Sequence, residues 1–490
     1  VVHPYTHKSK GLGKEGILTS VNNSLDSIFH PRSVAVVGVS LSRPDSLGND
    51  LLYSLQKFGF KKPIYPVNPN GGEIMGLKVY PKLSDIPGEV DFVISTLPAR
   101  LALQLVEECA CKRVKAIHFF TAGLSETGEK EGIELEAEIA RIAKSRGVRI
   151  IGPNCMGIYC PESGLTFMSH FPRESGSVGL ISQSGANTVD IINQTMWRGI
   201  RFSKVISYGN GSDLNESDYL EYLSTDPSTK IIALYLEGVK DGKRFRQALD
   251  KAVKEKVVIV LKAGVTKAGS RATQSHTASL AGNNEVWNAL CKQSGAIRVH
   301  SLQGMADMLV TASFMPRSIT RNVALIGVGG GLSVMMTDEF ESRGIKVPPL
   351  PDQIKGRIRE FARAEGNILS NPIDFSQALY EPEKLTKTIS ILADWEGIDF
   401  IVGFLTLGYY SITTSEKKKQ VWLNVADKLL EGAKSISKPM AIMLEPSILP
   451  GEAGEVLSLT QKFASLGIPV YYSFAGAAEA ISLYLSCETR

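Results

Sequence analysis

The chain has 490 residues, and a length of about 150 residues per domain divides it into roughly three. Its net charge is only +4, and the longest basic run, Lys417 to Lys419, reads as a solvated helix face, which disfavours a nucleic-acid-binding role. Six cysteines form no CxxC pair, seven histidines are scattered and no apolar run reaches the ~20 residues of a membrane span, so a zinc site, a disulfide framework and a membrane protein are all disfavoured.

The chain opens with an arm, residues 1–24, that lacks the apolar core of a signal peptide, so a cytoplasmic location is expected. Short β-branched runs then alternate with stretches of helical length, the pattern of βαβ units around parallel sheets. Residues 25–160 carry strand candidates at Val34 to Gly38, Ile64 to Val67, Phe92 to Thr96, Ala116 to Thr121 and Val148 to Ile151. Amphipathic stretches such as Leu101 to Ala110 and Gly132 to Arg146 separate them, giving an α/β, Rossmann-like unit.

A second set occupies residues 161–314. It opens with a Gly/Pro/Ser-rich loop, Pro161 to Gly176. Strands follow at Val178 to Ile181, Ser203 to Ser207, Ile231 to Leu236, Val257 to Leu261 and Ile297 to Val299, then a helix from Leu302 to Phe314. Residues 315–322 read as a linker. Residues 323–490 hold a third set, with strands at Val323 to Ile326, Phe400 to Leu405, Pro439 to Leu444 and Pro469 to Tyr472. Sets two and three both open with strand, Gly/Ser-rich turn and helix, as flavodoxin-like layers do.

Anion sites in such folds use backbone N–H groups at helix N-termini with little side chain in the way. Three turns fit: Gly38-Val39-Ser40, Ser182-Gln183-Ser184-Gly185-Ala186 and Gly329-Gly330-Gly331-Leu332-Ser333. Taken singly, the first is as readily a tight turn, the second an N-cap by Ser184 and the third a plain βα loop. The turn after the first strand is not GxGxxG and the chain has no GxxxxGK[ST], which disfavours dinucleotide oxidoreductases and P-loop enzymes.

Among the histidines, His118 lies inside a strand pattern and reads as a core residue. His276 lies between Gly269 and Gly282 in a small, polar segment that reads as a mobile loop. A nucleophilic imidazole needs access, mobility and a partner that fixes its tautomer. Glu237, at the end of the strand Ile231 to Leu236, is a candidate for that partner. By composition alone, an ordinary surface-loop histidine is the better reading of His276.

The segments Ser33-VAVVGVS, Val67-Asn68-Pro69, Ser95-TLPA, Thr121-AGLSETGE, Ile151-Gly-Pro-Asn-Cys-Met-Gly157, Ile181-SQSGA, Ile206-SYGNGSD, Tyr235-LEGVKDGKRF, Ser275-HTASLAG and Asn371-Pro-Ile-Asp374 occur in one order. In that order the chain, from about Leu25 to Tyr484, resembles the α subunit of ADP-forming acyl-CoA synthetases, relatives of succinyl-CoA synthetase. The resemblance implies a Rossmann-like CoA-binding domain followed by two flavodoxin-like CoA-ligase domains. It implies CoA phosphates near Gly38 and Ser40, with Asn68, Ser95, Pro98, Asn154 and Cys155 lining the rest of the groove. It implies that His276 is phosphorylated and supported by Glu237. Ser182, Gln183, Ser184 and Gly185, with Gly330 and Gly331, would then cradle the phosphoryl group, and no metal would be held by this chain.

The implied reaction is acyl-CoA + phosphate + ADP = carboxylic acid + CoA + ATP, through acyl phosphate and phospho-His276. ADP or ATP and Mg²⁺ would be bound by an ATP-grasp β subunit, for which no segment is found in this sequence, so a hetero-oligomer is expected. Two departures stand out. Ala278 replaces a glycine of the SHTGS pattern, and GVGGGLS stands where relatives have a GGPG turn. The acyl end of CoA would lie near Met156 and Tyr208-Gly209-Asn210. A non-catalytic CoA or acyl-CoA sensor on the same fold is the alternative.

Overall fold

The computed structural model describes residues 25–277, 283–363, 365–406, 416–445 and 453–487. The expected N-terminal arm, residues 1–24, and Ala278 lie outside them. Strands β1 (Val34–Val37) and β2 (Ile64–Val67) come first. A hairpin of β3 (Gly72–Ile74) and β4 (Leu77–Val79) follows, then β5 (Phe92–Ser95), β6 (Ala116–Phe119) and β7 (Arg149–Ile151). Apart from the hairpin these strands form one parallel sheet in the order β2-β1-β5-β6-β7. Helices α1 (Leu47–Phe58), α2 (Ala102–Cys111) and α3 (Lys130–Arg146) make the crossovers. All four residues of β1, β5 and β6 are buried, which is why these strands read as unbroken apolar runs.

The second sheet contains β8 (Gly157–Tyr159), β9 (Val178–Ser182), β10 (Phe202–Ser207), β11 (Ile231–Leu236), β12 (Val257–Lys262) and β13 (Ile297–Val299). Its order is β13-β12-β11-β9-β10-β8, with β8 antiparallel to β10. The expected boundary after residue 160 therefore cuts past a strand that ladders with the second sheet. The sequence gives no period for a strand of three residues. Helices α4 (Gly185–Met196), α5 (Glu216–Thr225), α6 (Gly242–Glu255), α7 (Lys267–Thr277), α8 (Asn284–Ser294) and α9 (Leu302–Phe314) flank it.

The third sheet is built from β14 (Val323–Gly327), β15 (Ile368–Leu369), β16 (Ile373–Asp374), β17 (Phe400–Thr406), β18 (Met440–Glu445) and β19 (Val470–Tyr471), in the order β15-β16-β14-β17-β18-β19. Its helices are α10 (Gly330–Glu341), α11 (Asp352–Arg359), α12 (Glu383–Asp394), α13 (Glu416–Ser435), α14 (Ala453–Ala464) and α15 (Phe474–Cys487). Helix α15 returns to pack on α9 of the second domain. One apolar core runs from Val34 and Phe92 through Ile181 and Leu234 to Val323 and Phe400; the far faces of the first and third sheets have cores of their own. Among the described residues no helix is long and apolar enough to cross a membrane.

Polar anchors fix the domains to one another. Arg149 and Asp213 form a bidentate pair at 2.9 and 3.1 Å between the first and second. Between the second and third, Arg198 donates to the Val470 carbonyl at 2.8 Å while pairing with Asp307 of its own domain at 2.7 Å, both side chains being at most 2% exposed.

Candidate functional site

The first expected site is a real cavity of about 530 Å³ at the carboxyl ends of β1, β2 and β5. Gly38, Ser40, Asn68 and Pro98 all line it. Gly38 has φ +105°, and a Cβ there would sit 2.4 Å from Thr96 Oγ1. Gly48, at the start of α1, would place a Cβ 2.6 Å from the Gly38 carbonyl. Two glycines thus let the helix start ride directly on the β1 turn, which is what bringing backbone N–H groups to a phosphate requires.

Asn49 holds that turn from beneath. Its Oδ1 accepts the Ser40 N–H at 2.9 Å, and its Nδ2 donates to the Ser40 and Arg43 carbonyls at 2.9 and 3.0 Å. Asn68 Nδ2 ties in the Val39 carbonyl at 2.7 Å. Asn49, the third residue of α1, belongs to no sequence motif and was missed. Arg43 and Lys82, two exposed cations on the cavity wall, were equally missed, because a single basic residue in a loop has no pattern.

The remaining groove residues lie elsewhere. Ser95 is fully buried at the end of β5, its Oγ accepting the Leu97 N–H. Cys155 is buried, its thiol directed at the Phe119 carbonyl and its pKa pushed up by burial. Neither lines the cavity, which corrects the expectation that their side chains do. Asn154, at φ +57°, follows the Gly152-Pro153 peptide, which is cis, and its carbonyl abuts Gly209. His118 is a core residue, as its strand pattern indicates. Its Nε2 faces the Cys155 carbonyl at 3.0 Å, and burial holds its pKa down to about 4.

The second expected site gathers at the carboxyl edge of the second sheet, where β12, β11 and β9 are neighbours. Ser184 caps α4 by accepting the Asn187 N–H, while Ser182 Oγ donates to the Ser184 carbonyl at 2.9 Å and accepts the Ser184 N–H at 3.2 Å. Ser182 is therefore scaffold. The donors left for an anion are the N–H groups of Gly185 and Ala186 in the first turn of α4. Gly185 is needed there, because a Cβ would lie 2.7 Å from Met156 Cγ.

Gln183 is also committed. Its Oε1 accepts the N–H groups of Glu237 and Gly238 at 2.5 and 2.9 Å. The expected phosphate ligand is thus, through its carbonyl, a brace for Glu237. Glu237 is 5% exposed at the end of β11. The neighbouring Tyr235 phenol is raised to about 12, by burial first and then by the Glu237 carboxylate.

His276 lies in the last turn of α7, not in a loop; its side chain is outside the described residues. The reason is local: Thr266 Oγ1 accepts the Gly269 N–H at 3.0 Å, an N-terminal cap, and Ala268, Arg271, Ala272 and Gln274 are good helix formers. The glycines at either end of the segment masked that signal. Helix α7 packs against the turn Ser125–Thr127 of the first domain.

Tyr208 does not wall an accessible acyl pocket. It is fully buried against Tyr219, with its hydroxyl 3.4 Å from Glu216. In the third domain, α10 begins at Gly330 with Gly329 at φ +116°, and Asp374 Oδ1 accepts the Gly329 N–H at 2.8 Å.

A CoA-type cavity followed by two flavodoxin-like layers defines a CoA-ligase chain. Residues 32–161 match the model of the CoA binding domain, and residues 175–312 match that of the succinyl-CoA ligase like flavodoxin domain. The α subunit of ADP-forming acetate–CoA ligase II of Pyrococcus furiosus is 35% identical over 449 residues, 91% of this chain and 94% of that one. The chain therefore belongs to the family of ADP-forming acetate–CoA ligase α subunits. The ADP-forming acetate–CoA ligase of Methanocaldococcus jannaschii is 38% identical over 352 residues, 71% of this chain but 49% of that protein. Among solved structures, the dinucleotide-forming acetyl-coenzyme A synthetase 1 of Candidatus Korarchaeum cryptofilum, in complex with phosphate and ADP, superposes with a TM-score of 0.80. It is 30% identical and the match covers 95% of this chain and 97% of that one.

Proposed function

We propose that this chain is the CoA-binding, phosphohistidine-carrying subunit of an ADP-forming acyl-CoA synthetase. Phosphate attacks the thioester of an acyl-CoA, releasing CoA and giving an acyl phosphate. The His276 imidazole attacks the phosphorus and the carboxylate leaves. Phospho-His276 then transfers the group to ADP, held with Mg²⁺ on an ATP-grasp partner subunit. Every step is reversible.

The observation that carries this reading is a convergence in one sheet. Glu237 at the end of β11, the open N-terminus of α4 after β9 and the helix bearing His276 after β12 share one carboxyl edge. The dipole of α4 offers an anion at its N-terminus about 0.3–2 kcal/mol, besides the bonds from two N–H groups. On the CoA side, Gly38 and Ser40 would meet the phosphates, with Arg43 and Lys82 supplying charge.

The test is labelling of the purified chain with radioactive acetyl phosphate. Acid-labile label that is lost in His276→Ala is expected. Label that persists in His276→Ala overturns the assignment. Saturable CoA binding with no label, even with the partner subunit present, would instead identify a non-catalytic CoA sensor.

A further inference from the structure

Lys262 closes β12 and is 4% exposed. Its Nζ donates to the Glu237 carbonyl at 2.8 Å and to the Ala263 carbonyl, and it lies 5.7 Å from the centre of the Trp287 ring. An ammonium in this place is expensive, because burial disfavours the charged form and an apolar side chain would fill the space without that cost. The groups facing it are the Glu237 carboxylate from β11, the Arg298 guanidinium from β13 and the Trp287 ring from α8. Arg298 is itself held by Asn284 and Asn288, so it cannot withdraw.

The two strands flanking β11 thus grip one residue from opposite sides. From β9, Gln183 Oε1 takes the N–H groups on either side of the Glu237 Cα. From β12, Lys262 takes its C=O. Both peptide planes that meet at Glu237 are fixed, so the Cα–Cβ direction is fixed and only the side-chain torsions remain to aim the carboxylate.

We infer that Lys262 is a positioning residue for phosphohistidine chemistry, holding Glu237 in the orientation that supports His276 and offsetting part of its charge. This rests on the reading of His276 as the phosphoryl carrier. The ammonium is held down to about 8, chiefly by burial and then by Arg298, against the pull of Glu237. Above that pH the charge on Lys262 is lost and the grip on the Glu237 carbonyl weakens.

The experiment measures the rate of His276 labelling by acetyl phosphate from pH 6 to 9.5 in wild type, Lys262→Met and Lys262→Arg. CoA binding and thermal melting serve as controls for folding. The wild-type rate is expected to fall above about pH 8. Lys262→Met is expected to be slower by about ten- to a hundredfold near pH 7, with CoA affinity kept. Lys262→Arg is expected to recover part of the rate and to lose the alkaline decline, because guanidinium stays charged. Equal rates and profiles in folded Lys262→Met and wild type overturn the inference alone. Absence of label in wild type overturns the underlying reading. If Lys262→Met fails to fold, the alkaline limb of Lys262→Arg decides: a limb unchanged from wild type overturns the role of Lys262.

Discussion

Asp374 Oδ1 accepts the Gly329 N–H at 2.8 Å, so the glycine turn of the third domain already has a carboxylate at its base. Ser376 Oγ donates to the same oxygen at 2.8 Å. An anion at a helix N-terminus is favourable, and it also repels a second one. Asp374→Ala is expected to destabilise the protein by about 1–3 kcal/mol, because the Gly329 N–H loses its partner. Asp374→Asn keeps an acceptor and is expected to cost less than Asp374→Ala. Denaturant titration of the two variants checks the order.

Gly38 joins a positive φ to a 2.4 Å approach by Thr96 Oγ1. Gly38→Ala must therefore displace the β1 turn or Thr96 beside it. The expected result is a loss of CoA affinity of at least tenfold by calorimetry, with the His276 labelling rate from acetyl phosphate changed far less. Equal CoA affinity in the variant would remove this turn from the binding site.

Much of this was legible. The buried parallel strands β1, β5, β9, β11 and β12 read directly from their apolar runs, and His118 from its place in one of them. The short pieces did not: β8, β15 and β16 have two or three residues each, too few for any period. The roles of Gln183 and Asp374 were hidden for a different reason. A side chain spent on a backbone N–H or C=O far away in sequence, as Gln183 is on Glu237, leaves no local pattern. Asn371 is another such case. Its amide bonds the Leu325 N–H at 2.9 Å and the Val323 carbonyl at 2.8 Å, finishing the ladder of β14.

His118 gives the fold a pH dependence. Its pKa is about 4 in the folded protein and 6.5 when exposed, so the unfolded chain binds more protons between those values. Its contribution is fully present above pH 6.5 and is lost as the pH falls through 4, by roughly 3 kcal/mol at most. His118→Gln cannot titrate and is expected to flatten this part of the stability curve. Denaturant midpoints from pH 4 to 7 make the comparison.

The Arg198–Asp307 pair is buried between the second and third domains, with Arg198 also 5.3 Å from the Tyr472 ring centre. Removing one partner leaves the other charge uncompensated. Asp307→Ala is expected to cost about 3–5 kcal/mol, and Arg198→Met with Asp307→Leu considerably less than the single change. A double-mutant cycle of Arg198→Met and Asp307→Leu, singly and together, by denaturant unfolding measures the coupling. Additive losses would mean that the pair does not act as a unit.

Asn210 reaches from the second domain into a pair of first-domain carboxylates. Its Nδ2 lies 2.7 Å from Glu126 Oε2, 2.8 Å from Glu136 Oε2 and 3.2 Å from Ser125 Oγ. Burial raises the Glu126 pKa, but the Asn210 amide and the N–H groups of Gly123 and Leu124 outweigh it and hold the carboxyl below its usual range. The same turn, Ser125–Thr127, supports the helix that carries His276. Asn210→Ala removes the donor and leaves two carboxylates facing each other across a void. Asn210→Asp adds a third carboxylate, so one of the three must take a proton in the folded state. The folded pKa of that group is then raised, and its penalty grows as the pH climbs above the carboxylate range. Asn210→Asp is accordingly expected to be the less stable variant at pH 8 and to recover toward Asn210→Ala at pH 5. Thermal melts of both variants at the two pH values decide the matter; a pH-independent gap would show that the carboxylates are too far apart, or too well hydrated, to repel.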